Sequence, residues 1–314
     1  MAQPGLIDVH HHFIPDRYRA AMDRHGGPPD GIGRTPDWSE DEAIRFLDAM
    51  GIETAYLSIS SPGVLLDGSD AVDLARSVND SAADLIDRHA GRFGAFAALP
   101  LPDTDAGIAE IARALDDLHL DGVGLLTHHG DVYLGDPRLD VVFDELNRRA
   151  ATVFIHPTSP LCCGDAFLDF ARPVLEFIFD TARTVMNLIH SGTLDRCPDI
   201  NWIVPHGAGA LPAVSARLDA VHVLTPGRSQ AREPSAAYLN RLYYDLAGPR
   251  SDGALHALLG IADESRLLYG SDWPFTPAPA VAGMLTALRE TSAFAQPDEL
   301  LRANARRLLP RSRD

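Results

Sequence analysis

Lysine is absent from the 314 residues, so all 27 basic side chains are arginine. That excludes a Schiff-base lysine, a phosphate-loop lysine and a carboxylated lysine bridging two metals. Any metal site must be assembled from His, Asp, Glu or Cys. Cysteine is scarce too: Cys162, Cys163 and Cys197 are the three present, and no Cys-x-x-Cys occurs. So few thiols suit a reducing cytoplasm better than a disulfide framework. No run of about 18 apolar residues exists, so no membrane-spanning helix is expected. The N-terminus lacks the basic-then-apolar pattern of a signal peptide, and a cytoplasmic location is expected. Positive charge is also in deficit, 27 basic against 44 acidic residues, for a net charge of −17. That argues against nucleic acid or an anionic membrane as partner. It leaves a small anionic substrate open, because a metal and a few arginines can set the local sign.

What is present begins with Leu6-Ile7-Asp8-Val9-His10-His11-His12-Phe13-Ile14-Pro15. An apolar start runs into histidines and stops at a proline, the pattern of a short buried strand. Strand residues two apart share a face, so Asp8, His10 and His12 are expected to point one way, and Val9 and His11 the other. Two imidazoles on one face, about 7 Å apart at most, can bind one metal ion together. The alternative is a histidine-rich leader.

Further on, apolar runs of strand length alternate with amphipathic stretches. Strands are expected at 53–60, 93–99, 122–127, 151–157, 201–207, 242–247 and 266–272, with helices between them. Ser39 and Glu42 read as a helix start, and Gly51 as its stop. At 46% apolar residues the chain can bury a large core. With the first strand this makes eight strands alternating with helices, which favours a (β/α)₈ barrel with further helices at the C-terminus. An open doubly wound sheet is the alternative, but no Gly-x-Gly-x-x-Gly follows the first strand. No domain linker or internal repeat interrupts the pattern.

Barrel enzymes place their chemistry at the C-terminal ends of strands. His10 and His12 end the first strand, His128 and His129 follow the fourth, and His156, His206 and Asp272 end the fifth, sixth and eighth. Any one of these has a bland reading as a satisfied, partly buried ring or a helix-capping carboxylate. Together they would converge on one mouth, where three imidazoles and a carboxylate make a zinc-type site. Asp8 lies deeper and is expected to support the site rather than ligate.

The motifs resemble a known family. Asp8-Val9-His10-His11-His12 is similar to the opening of the amidohydrolase superfamily. His156-Pro157, His206-Gly207-Ala208-Gly209 with Pro212 and Arg217, and Gly270-Ser271-Asp272-Trp273-Pro274-Phe275 resemble its metal-dependent, non-oxidative decarboxylases, such as those of γ-resorcylate, 5-carboxyvanillate and aminocarboxymuconate semialdehyde. The stretches 93–103, 133–136 and 145–149 look closest to the 6-methylsalicylate decarboxylase-like branch. The resemblance covers essentially the whole chain and implies one distorted barrel domain over residues 1–314. Two departures stand out: Ala208 interrupts a glycine run of several relatives, and Ala43 falls where the semialdehyde enzymes carry a substrate-binding arginine.

The resemblance implies one divalent metal ion on His10, His12, His156 and Asp272, with Zn²⁺ expected and Mn²⁺ also accepted by such ligands. It further implies catalytic roles for Asp272 and His206, and substrate contacts from His206, Phe275 and Arg217. Arg217 is similar to an arginine that some relatives place in a neighbouring subunit's site, so a homodimer or higher homo-oligomer is expected. His128 is a further candidate for substrate contact, and Phe275 with Trp273 would line an uncharged pocket. The implied reaction is loss of CO₂ from a hydroxybenzoate of the salicylate or 6-methylsalicylate type. Two alternatives stay open: hydrolysis or hydration on the same metal, and a non-catalytic metal-binding protein.

Overall fold

The computed structural model describes residues 5–26, 30–66, 71–161, 169–249 and 251–309. Cys162 and Cys163 lie outside them. Eight parallel strands run in chain order around one sheet. They are β1 (Leu6–His12), β2 (Ile52–Ser58), β3 (Phe93–Ala98), β4 (Gly122–Leu126), β5 (Thr152–His156), β6 (Asn201–Val204), β7 (Tyr243–Asp245) and β8 (Leu267–Leu268). Bridges Asp8–Tyr269 and His11–Trp273 bring the last strand back to the first. The expected (β/α)₈ barrel is the fold.

Each strand follows from its composition. β2, β3 and β5 are buried along almost their whole length, as strands covered on both faces must be. The helix Glu40–Met50 starts as expected: Ser39 Oγ accepts from the Glu42 N–H at 3.3 Å, and Gly51 closes it at φ 70°. The strands end earlier than the apolar runs. β8 is two residues long where seven were expected, because Gly270 to Pro274 already turn at the barrel rim.

The core has two parts. Ile7, Val9, Tyr56, Phe96, Phe154, Ile203 and Leu268 fill the barrel interior. A larger apolar layer lies between the strands and the surrounding helices, with Leu47, Leu57, Val123, Leu146, Ile189 and Leu301 among its fully buried members. The C-terminal helix Pro297–Leu308 caps the lower end. Ala305 and Leu309 join the interior group, and Asn304 Nδ2 donates to the carbonyls of Glu264 and Leu267 at 2.8 Å each. No helix among the described residues is long and apolar enough to cross a membrane.

One expectation about β1 is corrected. From Ile7 to His12 it takes five steps, while its partner β2 takes four from Thr54 to Ser58. The extra residue is a bulge, which reverses the alternation of faces. Ile7 and Val9 point into the barrel, and beyond the bulge so do His10 and His12. Asp8 is left on the outer side with His11, whose Nδ1 lies 3.1 Å from Asp8 Oδ2.

Tight strand packing makes a direct test. A Cβ on Gly122 would run into the Thr152 carbonyl oxygen, whereas one on Gly124 would meet its nearest neighbour, Phe96 Cβ, at an ordinary 3.7 Å. Gly122→Ala is expected to destabilise the fold by about 1–3 kcal/mol in urea unfolding. Gly124→Ala should cost less than half as much.

Candidate active site

Three strand-end histidines are held in one tautomer. His10 Nδ1 lies 2.9 Å from Asp245 Oδ2, His12 Nδ1 lies 3.2 Å from the Ser58 carbonyl, and His156 Nδ1 lies 2.7 Å from the Pro157 carbonyl. Each acceptor calls for an N–H at Nδ1, which leaves Nε2 as the inward-facing lone pair. The Nε2 atoms of His10 and His12 stand 3.1 Å apart. Asp272 Oδ1 is 3.5 Å from the first and 3.3 Å from the second. The donor atoms of His10, His12, His156 and Asp272 all lie within 4.8 Å of one another. Lone pairs so placed repel unless a proton or a cation sits between them. Three neutral imidazoles with oriented Nδ1 protons and one carboxylate fit a divalent metal ion.

The electrostatics agree with that fit. Burial pushes His156 well below the ordinary histidine value, and the neighbouring rings of His12 and His10 push the same way. Burial lowers His12 as well. His10 is the exception: burial opposes its charge, but the Asp245 carboxylate outweighs this and raises it. Burial also works against ionised Asp272, and the neighbouring imidazoles of His12, His206 and His10 overcome it, holding the carboxyl well below its usual range. At neutral pH the carboxylate is therefore ionised.

Backbone conformation aims two of these groups. Asp272 has φ 57°, a left-handed conformation that Asp tolerates better than most residues, fixed by its N–H donating to the His10 carbonyl at 2.8 Å. His206, Gly207, Ala208 and Gly209 have φ values of 54°, 58°, 70° and 56°. This left-handed turn ends β6 against the helix Glu176–His190, and a side chain at Gly209 would strike the Ile178 carbonyl. His206 Nε2 then faces Asp272 Oδ2 at 3.8 Å, and its Nδ1 is buried without a partner.

Other expected residues divide. Phe275 lies edge-on to His12, ring centroids 5.4 Å apart, as a pocket wall would. Trp273 does not line the site: it stacks on Phe46 at 4.9 Å behind β1, beside His11. His128 has Nδ1 2.8 Å from the Gly130 carbonyl and Nε2 3.0 Å from the Ser159 carbonyl. Neither ring nitrogen is left for the substrate contact expected of it; the ring joins two loops instead. Arg217 is exposed on the helix Leu211–Leu218.

Sequence reasoning passed over Asp245. Its carboxylate takes His10 Nδ1, and its Oδ1 accepts the N–H groups of His206 at 3.0 Å and Ala247 at 2.9 Å. A signal was available: acidic residues are almost never fully buried unless paired, and Asp245 stands alone in the apolar strand 242–247. Asp8 performs the same service at the rim. Its oxygens accept from the His10 N–H at 3.1 Å and from the Ser271 N–H and Oγ at 3.0 and 2.6 Å, which fixes the segment leading to Asp272.

Comparison with known proteins follows the same lines. The amidohydrolase family model matches residues 7–311. A decarboxylase of Aspergillus niger, Decarboxylase yanB, is 36% identical, the match covering 97% of this chain and 87% of that protein. The 6-methylsalicylic acid decarboxylase acuB of Aspergillus aculeatus is 35% identical, over 97% and 96% of the two chains. Among solved structures, 2,6-dihydroxybenzoate decarboxylase complexed with 2,6-dihydroxybenzoate superposes with a TM-score of 0.83 at 29% identity, over 98% and 99% of the chains. A dihydroxybenzoic acid decarboxylase from Polaromonas, with bound manganese and the inhibitor 2-nitroresorcinol, gives a TM-score of 0.83 at 25% identity over 98% and 97%.

The Asp245–His10 contact is testable by metal titration. Asp245→Asn keeps the shape but removes the acceptor charge from His10. Divalent metal affinity, measured by competition with a chelator, is expected to fall about 10–100-fold. Circular dichroism should remain that of the parent.

Proposed function

The chain belongs to the amidohydrolase family, and from that premise we propose that it is a metal-dependent carboxy-lyase. It removes CO₂ from a hydroxybenzoate-type aromatic acid of the salicylate or 6-methylsalicylate kind. The observation that carries this is the meeting of Asp272 with three Nε2-presenting histidines in the barrel mouth, in a chain about 35% identical along almost its whole length to 6-methylsalicylic acid decarboxylases. His10, His12, His156 and Asp272 would hold one divalent ion. We favour Zn²⁺, with Mn²⁺ the competitor that the manganese-bound relative supports.

When bound, the ion supplies Lewis acidity and a fixed point for the acid's oxygens. The chain's own residues do the rest. Asp272 has a divided carboxyl: Oδ1 faces His10 and His12, while Oδ2 faces His206 and accepts from Thr276 Oγ1 at 3.2 Å. Oδ2, ionised in the free site, takes the proton of the substrate's ring hydroxyl and passes it to the ring carbon that bears the carboxylate. The bond from that carbon to the carboxyl carbon then breaks, its electron pair returns to the ring, and neutral CO₂ leaves. Asp272 is left ionised, as it began, and the product phenolate takes a proton from water. His206 orients the substrate's oxygen and keeps the proton at Oδ2 within reach of the ring. Phe275 presents an apolar wall, which favours release of an uncharged product.

Arg217 supports a homo-oligomer. It is exposed on its own subunit, where a second copy of the chain would be able to engage it. The helix Glu176–His190, in the same quarter of the barrel, exposes Phe179 and Met186, an apolar face that a second copy would cover. Cys197, the one described cysteine, is buried and in no disulfide, in keeping with a cytoplasmic setting.

Two outcomes test the reading. CO₂ release from a panel of salicylates should vanish on chelation and return with Zn²⁺ or Mn²⁺. Asp272→Asn should lose at least 10³-fold in kcat, and His206→Asn about 10²–10⁴-fold. Hydrolysis of a lactone or amide panel, with no CO₂ from any salicylate, would overturn the decarboxylase assignment. For the oligomer, Arg217→Ala is expected to raise KM roughly tenfold, as loss of one charge-assisted contact does, and sedimentation should give a mass above one chain.

A further inference from the structure

Beside His156 lies a small cavity that the proposed chemistry does not use. Its volume is about 20 Å³, and its walls include Val64, Ala98, Leu126, Phe154 and His129. That is room for one water-sized group. The lining comes from β2 to β5 and the loops after β2 and β4, whereas His206 and Asp272 follow β6 and β8. The cavity and the proton-bearing carboxyl thus stand on different sides of the metal-binding cluster.

The wall is apolar except for Ser58, His156 and His129; Ser58 Oγ lies 3.3 Å from His12 Nδ1 and His156 belongs to the metal-binding cluster, which leaves His129 as the polar group without a role. That ring is 5% exposed, and its Nε2 is buried with no hydrogen-bond partner. Burial pushes its pKa down to about 3, so the imidazole is neutral at working pH. A buried polar nitrogen left unpaired is unfavourable, and most such groups in folded proteins find a partner. His128, next in sequence, has both nitrogens on carbonyls. The antiparallel pairing of His128–His129 with Val132–Tyr133 fixes which of the two rings turns toward the cavity. An apolar pocket of one-group size with a single unpaired nitrogen is complementary to a ring hydroxyl.

We propose that this cavity receives one substituent of the aromatic acid and that His129 Nε2 hydrogen-bonds it, so that the site selects a hydroxyl over a methyl there. His129 is then a specificity-determining residue of the decarboxylase. The assignment rests on the proposed reading of the substrate as a hydroxybenzoate. A methyl group would fill the space but leave the nitrogen unpaired, and sites built to hydrogen-bond a hydroxyl reject the analogue lacking it more strongly than apolar pockets reject size changes.

The test compares two matched pairs of acids, salicylate with 2-methylbenzoate and 2,6-dihydroxybenzoate with 6-methylsalicylate. Binding to the metal-loaded protein is measured by calorimetry and turnover by CO₂ release. In His129→Leu the hydroxyl-over-methyl preference should fall by about tenfold in one of the pairs, and His129→Gln should retain part of it. His129→Met substitutes if the leucine variant does not fold. A fall of less than threefold in both pairs overturns the proposal, including the case in which all four acids weaken in proportion or an ordered water occupies the space. If the parent protein binds the acids but releases no CO₂, the decarboxylase reading fails, and the binding ratios still decide the role of His129.

Discussion

The contact on which the site depends is the buried pair of Asp245 and His10, both fully shielded from solvent. A carboxylate in such a place must be compensated or it would be protonated. Asp245 is compensated three times: by His10 Nδ1, by the His206 N–H and by the Ala247 N–H. Burial raises its pKa, and the attraction of His10 outweighs this and lowers it. One carboxylate therefore fixes the tautomer of a candidate metal ligand on β1 and the backbone position of the histidine after β6. The ends of β1, β6 and β7 cannot move independently. The glycine at 270 belongs to the same constraint, because a Cβ there would lie 2.8 Å from His10 Cβ and 3.3 Å from Asp245 Cβ. β8 can approach the pair only without a side chain.

Periodicity made the barrel legible. Eight apolar runs separated by helical stretches, each run short and bounded by turn residues, have few solutions other than a parallel sheet closed on itself. The helix at 40–50 was legible to the residue, because its cap and its terminal glycine are local chemistry. Strand ends were not, since the apolar run continues into the rim after the ladder stops. The bulge in β1 was invisible for a related reason. It depends on register with β2, and nothing in Leu6–His12 alone announces an extra residue.

The site was legible in its residue types and only partly in their roles. His10, His12, His156 and Asp272 were marked by position at strand ends, and the fold brings them together. Of the adjacent pair His128 and His129, the sequence marked His128 as the candidate for substrate contact. The structure separates them by hydrogen bonding: one ring is held by two carbonyls, and the other faces a cavity with a nitrogen unpaired. Trp273 and Phe275 likewise sit two apart in a stretch that is no longer a strand. The turn at Asp272 sends one behind β1 and leaves the other against His12. Side-chain direction after a turn is set by tertiary contacts, which a one-dimensional pattern does not encode.

The bulge and the missing lysine act together on the chemistry. Without lysine, no carbamate can bridge a second ion. With Asp8 turned outward to His11 and Ser271, β1 contributes two imidazoles and no carboxylate to the mouth. Among the described residues, His10, His12, His156 and Asp272 form the one cluster of metal-binding geometry. Asp272 is its only carboxylate, so in the proposed reaction the same group would both help hold a cation and carry the proton. Its two oxygens permit this because they face different partners, Oδ1 the imidazoles of β1 and Oδ2 the His206 ring and Thr276. The left-handed backbone at Asp272 is what turns the carboxyl to face both ways. Held there by the His10 carbonyl, that residue links the strand that opens the chain to the strand that closes the barrel.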